Sequence, residues 1–162
     1  MATSTIDGTV EEAVIKRRRG QASVYERIKF RLDDGSTRTW ANAVVTNNVA
    51  DLLSPGTRGR FYLFTAIDHR GISGVRTESG AEASGMMKVN EYVGIGLFVF
   101  NLLITIFYVT VMKEDASTFA RTVAVVLMIL GLPMYFLYRQ NRVDAERAFN
   151  ADAGYRPAAR SA

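Results

Sequence analysis

The chain contains no cysteine. Disulfides, thiolate nucleophiles and cysteine-bound metals are therefore excluded. It has one histidine, His69, which falls in a predicted turn. A histidine metal site or a serine triad would have to rest on that residue, and no spacing signature supports either. An exposed loop histidine is the expectation. No phosphate loop is present: Gly56 and Gly59 lack a following Gly-Lys-Ser/Thr. The carboxylates are scattered singly or sit in turns, such as Asp33 and Asp34, where turn formation accounts for them. The cationic cluster in the first 20 residues has no apolar stretch beside it, so no secretory signal is expected. These absences point away from an enzyme and from any cofactor or metal.

What is there divides the chain in two. Hydrophobic residues make up 48% of its 162 residues, but residues 1–90 are polar and charged while 92–138 are mostly apolar. Net charge is +4 with a sequence pI near 9.6, a mild basic excess that suits an anionic lipid surface at least as well as nucleic acid.

Two apolar stretches, 93–112 and 119–138, are each 20 residues long. At a helical rise of 1.5 Å per residue, each spans about 30 Å, the thickness of a bilayer's hydrocarbon core. The first holds 13 Leu, Ile, Val and Phe, together worth about −4 to −8 kcal/mol on the insertion scale. Asn101 near its centre opposes this, but even a full charge there would cost only about 2.5–3.5 kcal/mol. Neither stretch has the polar face of a soluble amphipathic helix. The second carries Arg121 near its start, from where a long side chain can snorkel to the headgroups. The six-residue connection, 113–118, predicts adjacent antiparallel helices. Arg76, Lys88, Arg139, Arg142, Arg147 and Arg156 flank one side of this hairpin, against Lys113 and Arg121 on the other. The positive-inside rule then puts both termini in the cytoplasm. Tyr92, Tyr135 and Tyr138 suit the inner aromatic belt. Pro133, close after Gly131, is expected to kink the second helix, and Glu91 to lie at the interface. Asn101 predicts a hydrogen bond to another helix.

Residues 1–78 read as a soluble β domain. Strands are expected at 9–15, 24–32, 37–45, 61–66 and 72–77. A charged turn at 16–20 joins the first pair, and an Asp34-Gly35 type I′ hairpin the second. Asn47 or Asn48 is expected to cap a short helix at 49–53, ended by Ser54-Pro55-Gly56. A turn around 68–71 joins the last strands. The element order β-β-β-α-β-β resembles that of the OB-fold, a small five-stranded Greek-key barrel, with an SH3-like barrel as the alternative. Residues 79–91 read as a flexible linker, 92–138 as the transmembrane hairpin, and 139–162 as a basic cytoplasmic tail that first extends the second helix. Gly154 and Pro157 are expected to end its order.

Two clusters are candidates for binding. In 24–32, alternation places Tyr25, Arg27, Lys29 and Arg31 on the outer face, beside Arg38 and Trp40 of the next strand. Cations interleaved with aromatics suit single-stranded nucleic acid; the plainer expectation is a solvated barrel face. Lys16, Arg17, Arg18 and Arg19 are the lipid-contact candidates. By elimination, the leading expectation is a membrane-anchored, non-enzymatic module that binds another protein or its own copies. A membrane-tethered nucleic-acid-binding barrel and a helical subunit of a channel or transporter, with Asn101 facing the lumen, are the alternatives.

Overall fold

The computed structural model describes residues 2–66, 69–112 and 118–155. It forms two compact units, one of Met1–Met87 with Asn141–Ala162, the other of Lys88–Gln140.

The first unit is a closed β-barrel of five strands: β1 (Ala2–Arg19), β2 (Ala22–Leu32), β3 (Thr37–Thr46), β4 (Arg58–Thr65) and β5 (Arg70–Thr77). A short helix, α1 (Asn47–Ala50), lies between β3 and β4, and a sixth strand, β6 (Glu82–Ser84), pairs with β5. The first strand is far longer than 9–15 because it serves two neighbours. Its first part, from Ala2 to Thr9, pairs with β4 and its remainder, from Gly8 to Arg19, with β2. At the handover Gly8 pairs with Gly59. A Cβ on Gly8 would collide with the Arg31 carbonyl, and one on Gly59 with the Arg76 carbonyl. Glycine is what permits the close backbone approach of the crossing. Parallel pairing of β3 with β5, from Ala43↔Arg70 to Val45↔Ile72, closes the barrel. Its core is Ile6, Val10, Ile28, Phe30, Val45, Leu53, Phe61, Leu63, Ile72 and Val75, with Tyr25 among them.

Several local expectations differ from the structure. Lys16–Arg19 belong to β1, and the hairpin turn is Gly20-Gln21, with Gly20 at φ 56°. The β2–β3 connection takes in Asp33–Ser36 rather than two residues; only Gly35 has positive φ, and Asp34 Oδ1 accepts from the Ser36 N–H at 2.8 Å. Asn47 and Asn48 lie inside α1, whose N-cap, Thr46, makes no side-chain cap bond. Their amides instead donate to the Gly20 and Ser84 carbonyls, because these distant acceptors outcompete a local cap. Part of the expected linker, at 82–84, is thus strand. The turn around Asp68 and the 113–117 part of the connection lie outside the described residues, as do Arg156, Pro157 and the side chains of Arg19 and Arg121.

In the second unit, α2 (Val89–Phe107) continues as a π-helical turn (Tyr108–Met112), and α3 (Thr118–Ala151), which runs through Pro133, belongs to this unit as far as Gln140. Both helices are long and apolar enough to cross a membrane, and only 11% of the most apolar stretch of each is buried. The buried positions of this unit, 91, 94 and 101 on α2 and 124 and 131 on α3, fall three or seven residues apart, on one face of each helix. Each helix therefore offers a single seam. A Cβ on Gly131 would lie 2.7 Å from Phe98 N, and one on Gly94 2.7 Å from Tyr135 N, so small residues set the helix approach. Asn101 is buried in this seam, but its Nδ2 donates to Leu97 O at 2.8 Å, one turn back in its own helix.

Candidate functional site

Of the six residues placed on one outer face, the structure removes Tyr25. Between Ile15↔Tyr25 and Val14↔Arg27, β2 carries one extra residue, Glu26. This bulge shifts the alternation by one. Tyr25 turns inward to 1% exposure, its hydroxyl 3.4 Å from Ala50 O, while Glu26 and Arg27 both face solvent. Burial raises the Tyr25 phenol pKa.

A second bulge settles the electrostatics of the remaining cations. Val10 pairs with Phe30 and Glu12 with Lys29, leaving Glu11 as the extra residue of β1. Glu11 and Glu12 both reach the cations of β2. Arg27 grips Glu12 through two bonds, of 2.7 and 3.2 Å. Lys29 lies 3.0 Å from Glu11, and Arg31 also pairs with Glu11. Hydrogen bonding from Lys29 holds the Glu11 carboxyl below its usual pKa, and Arg27 does the same for Glu12. The basic face is thus a ladder of ion pairs.

Arg38 and Trp40 stand apart from this ladder. Trp40 is half-buried against the core, opposite Ile28. The Arg38 guanidinium lies 5.6 Å from the centre of its ring, and that of Arg70 5.5 Å. Neither arginine forms an ion pair with a described residue, and Trp40 Nε1 is buried without a hydrogen-bond partner. Sequence reasoning missed Arg70, because the parallel β3–β5 pairing that brings it here links residues nearly thirty positions apart. Lys16, Arg17 and Arg18 are exposed on the β1 arm, likewise without an ion pair among the described residues.

Another network joins the barrel to the chain after residue 141. Arg60 donates to both oxygens of Asp7 at 2.7 Å and to Asp152 at 3.1 Å, and its guanidinium covers the Tyr155 ring at 3.9 Å. Tyr62 bonds Asp152 through its hydroxyl, meets Phe149 edge-on, and has its pKa pushed up to about 12, chiefly by burial. Arg76 lies over Phe149 at 4.1 Å, bonds its carbonyl and pairs with Glu82. The residues read as a basic tail thus pack on β4 and β5. Arginine and aromatic stems supply apolar contact as well as charge. A cleft of about 180 Å³ opens nearby, lined by Thr3, Ser4, Thr5, Tyr62, Leu63, Ser73 and Ala148.

His69 meets Phe64 edge-on at 5.5 Å between ring centres. Among the described residues, no three His, Asp or Glu gather as a metal ion would require. Comparison with protein-family models, with curated proteins and with solved structures finds no match.

Proposed function

We propose that the chain is a non-enzymatic, membrane-anchored interaction module. Its helices form a two-pass hairpin with both termini in the cytoplasm, and its barrel, of OB type, engages a protein partner or further copies of itself. The carrying observation is a folded barrel on a chain with two helices whose apolar surfaces are left uncovered, such as Phe100, Leu103, Ile129 and Leu130. Such a surface needs lipid or other helices. The barrel order β1-β2-β3-β5-β4, closed through β1, with a helix between β3 and β4, supports the OB reading over the SH3-like one.

The nucleic-acid alternative draws less support. Three of its cations are neutralised by Glu11 and Glu12, and one of its two stacking aromatics is in the core. Residues 1–91 hold 13 Lys and Arg against 11 Asp and Glu, which is not the concentrated field that phosphate-driven binding needs. A channel role would need Asn101 to face a lumen, whereas its amide is committed to Leu97 in a closed seam.

Two measurements test the proposal together. A reporter active only outside the cytoplasm, fused after Ala162, should stay silent; activity would overturn the topology. Light scattering of the full chain in neutral detergent, with and without a labelled single-stranded oligonucleotide, should give either a defined oligomer or a monomer that binds no oligonucleotide. Tight, salt-sensitive oligonucleotide binding would replace this reading with the alternative.

A further inference from the structure

We propose that the Arg38–Trp40–Arg70 cluster on the β3–β5 seam binds the headgroup phosphates of anionic lipids. The inference deepens the membrane-anchored reading and rests on it.

Arg27, Lys29 and Arg31 each have a carboxylate within reach. Arg38 and Arg70 instead converge on one indole, at 5.6 and 5.5 Å from its centre. Neither guanidinium has an ion pair or hydrogen bond to a described residue. An exposed contact with a ring face is weak and engages the guanidinium plane, not its N–H edge. Two guanidinium edges, with up to five donors each, therefore point to a ligand that only accepts. A tetrahedral oxyanion such as phosphate fits that requirement, and forked guanidinium donors match its oxygens. Beside them Trp40 Nε1 is a buried donor with no partner, an arrangement rare in folded proteins.

The pairing register extends the surface. Ile15↔Tyr25, Tyr25↔Ala43 and Ala43↔Arg70 form one row across four strands. The adjacent row starts from Arg17, paired with Val24, and the one after it from Arg18, paired with Ser23. Arg70 and the β1-arm cations Arg17 and Arg18 therefore occupy neighbouring rows of one sheet, whereas Arg38 pairs with Phe30 in a row further along β3. Cations spread over several strands suit a surface of many phosphates better than one small ion. Four residues, 85–88, separate β6 from α2, a helix apolar enough to cross a membrane, so headgroup phosphates are the anions held at high local concentration. Tryptophan and arginine are also at home in the headgroup region. Single-stranded nucleic acid is the weaker source, because Tyr25 is buried and two guanidiniums already contact Trp40.

Trp40 is the only tryptophan in the chain, so its fluorescence, excited where tyrosine does not absorb, reports on this site alone. The full chain would be reconstituted into nanodiscs of phosphatidylcholine, with or without phosphatidylglycerol. The anionic discs should shift the Trp40 emission to shorter wavelength and reduce quenching by soluble acrylamide several-fold. High salt, or Arg38→Gln with Arg70→Gln, should reverse both effects. A thermal melt checks the fold of the variant; should it be unfolded, the wild-type comparison of the two discs decides by itself. Identical emission and quenching in the two discs would overturn the proposal and leave the anchor standing. A chain that enters neither disc would overturn the anchored reading as well. An oligonucleotide that changes Trp40 emission in neutral discs, where phosphatidylglycerol does not in anionic ones, would reassign the site to nucleic acid.

Discussion

At the scale of residues, Glu11 and Glu12 decide what the β1–β2 face can do. They neutralise Arg27, Lys29 and Arg31 from the neighbouring strand. Glu11→Gln with Glu12→Gln should free three cations and create weak, salt-sensitive oligonucleotide binding that the wild type lacks. Titration with a labelled oligonucleotide at low and physiological salt checks this. Asp7 makes a second prediction. Its pKa is lowered, first by the hydrogen bond from Arg60, from an ordinary value of 3.8. A carboxylate depressed in the folded state adds stability above its unfolded pKa and loses it as pH falls through the depressed value. Thermal stability should therefore decline below about pH 4, and Asp7→Asn should flatten that decline. Asp7 is partly exposed, so solvent screening keeps the effect small.

At the scale of elements, bulges and close glycine contacts decide which side chains meet. Glu26 sends Tyr25 into the core, and Glu11 brings two carboxylates to bear on one face. In the helical unit Gly94 and Gly131 set the approach of α2 and α3. Gly131→Val should destabilise the hairpin by about 1–3 kcal/mol, the usual cost of overpacking, read as earlier unfolding in a detergent titration. Asn101→Leu should cost less, on the order of 1 kcal/mol or below, because its observed hydrogen bond stays within α2.

At the scale of the whole molecule, the last turns of α3 and the residues after them, 141–155, are part of the barrel's fold. Phe149 is 7% exposed, packed on Tyr62 and beneath Arg76. Phe149→Ala should lower the stability of the barrel by about 3 kcal/mol, the low end for a buried phenylalanine. Calorimetry of the full chain in detergent checks this. A fragment ending at residue 87 should likewise melt earlier than the barrel of the full chain. An equal melting temperature would show that residues 141–155 add nothing to it.

The sequence by itself determined whatever is periodic or local in cause. Two apolar stretches of 20 residues can satisfy their backbone only as helices in a bilayer or a core. The β-β-β-α-β-β order follows from turn residues and hydrophobic alternation. Cysteine chemistry is excluded outright. Only the tertiary structure decided the rest, because each remaining fact depends on partners distant in sequence. Alternation carries no mark of a bulge, so Tyr25 could not be seen to turn inward. Charge counting gives no register, so the pairing of the β2 cations with Glu11 and Glu12 was hidden. The partners of Arg60 lie at Asp7, Asp152 and Tyr155, and those of Trp40 include Arg70. Such contacts form only when strands close into a barrel, where backbone hydrogen bonding fixes which side chains face one another.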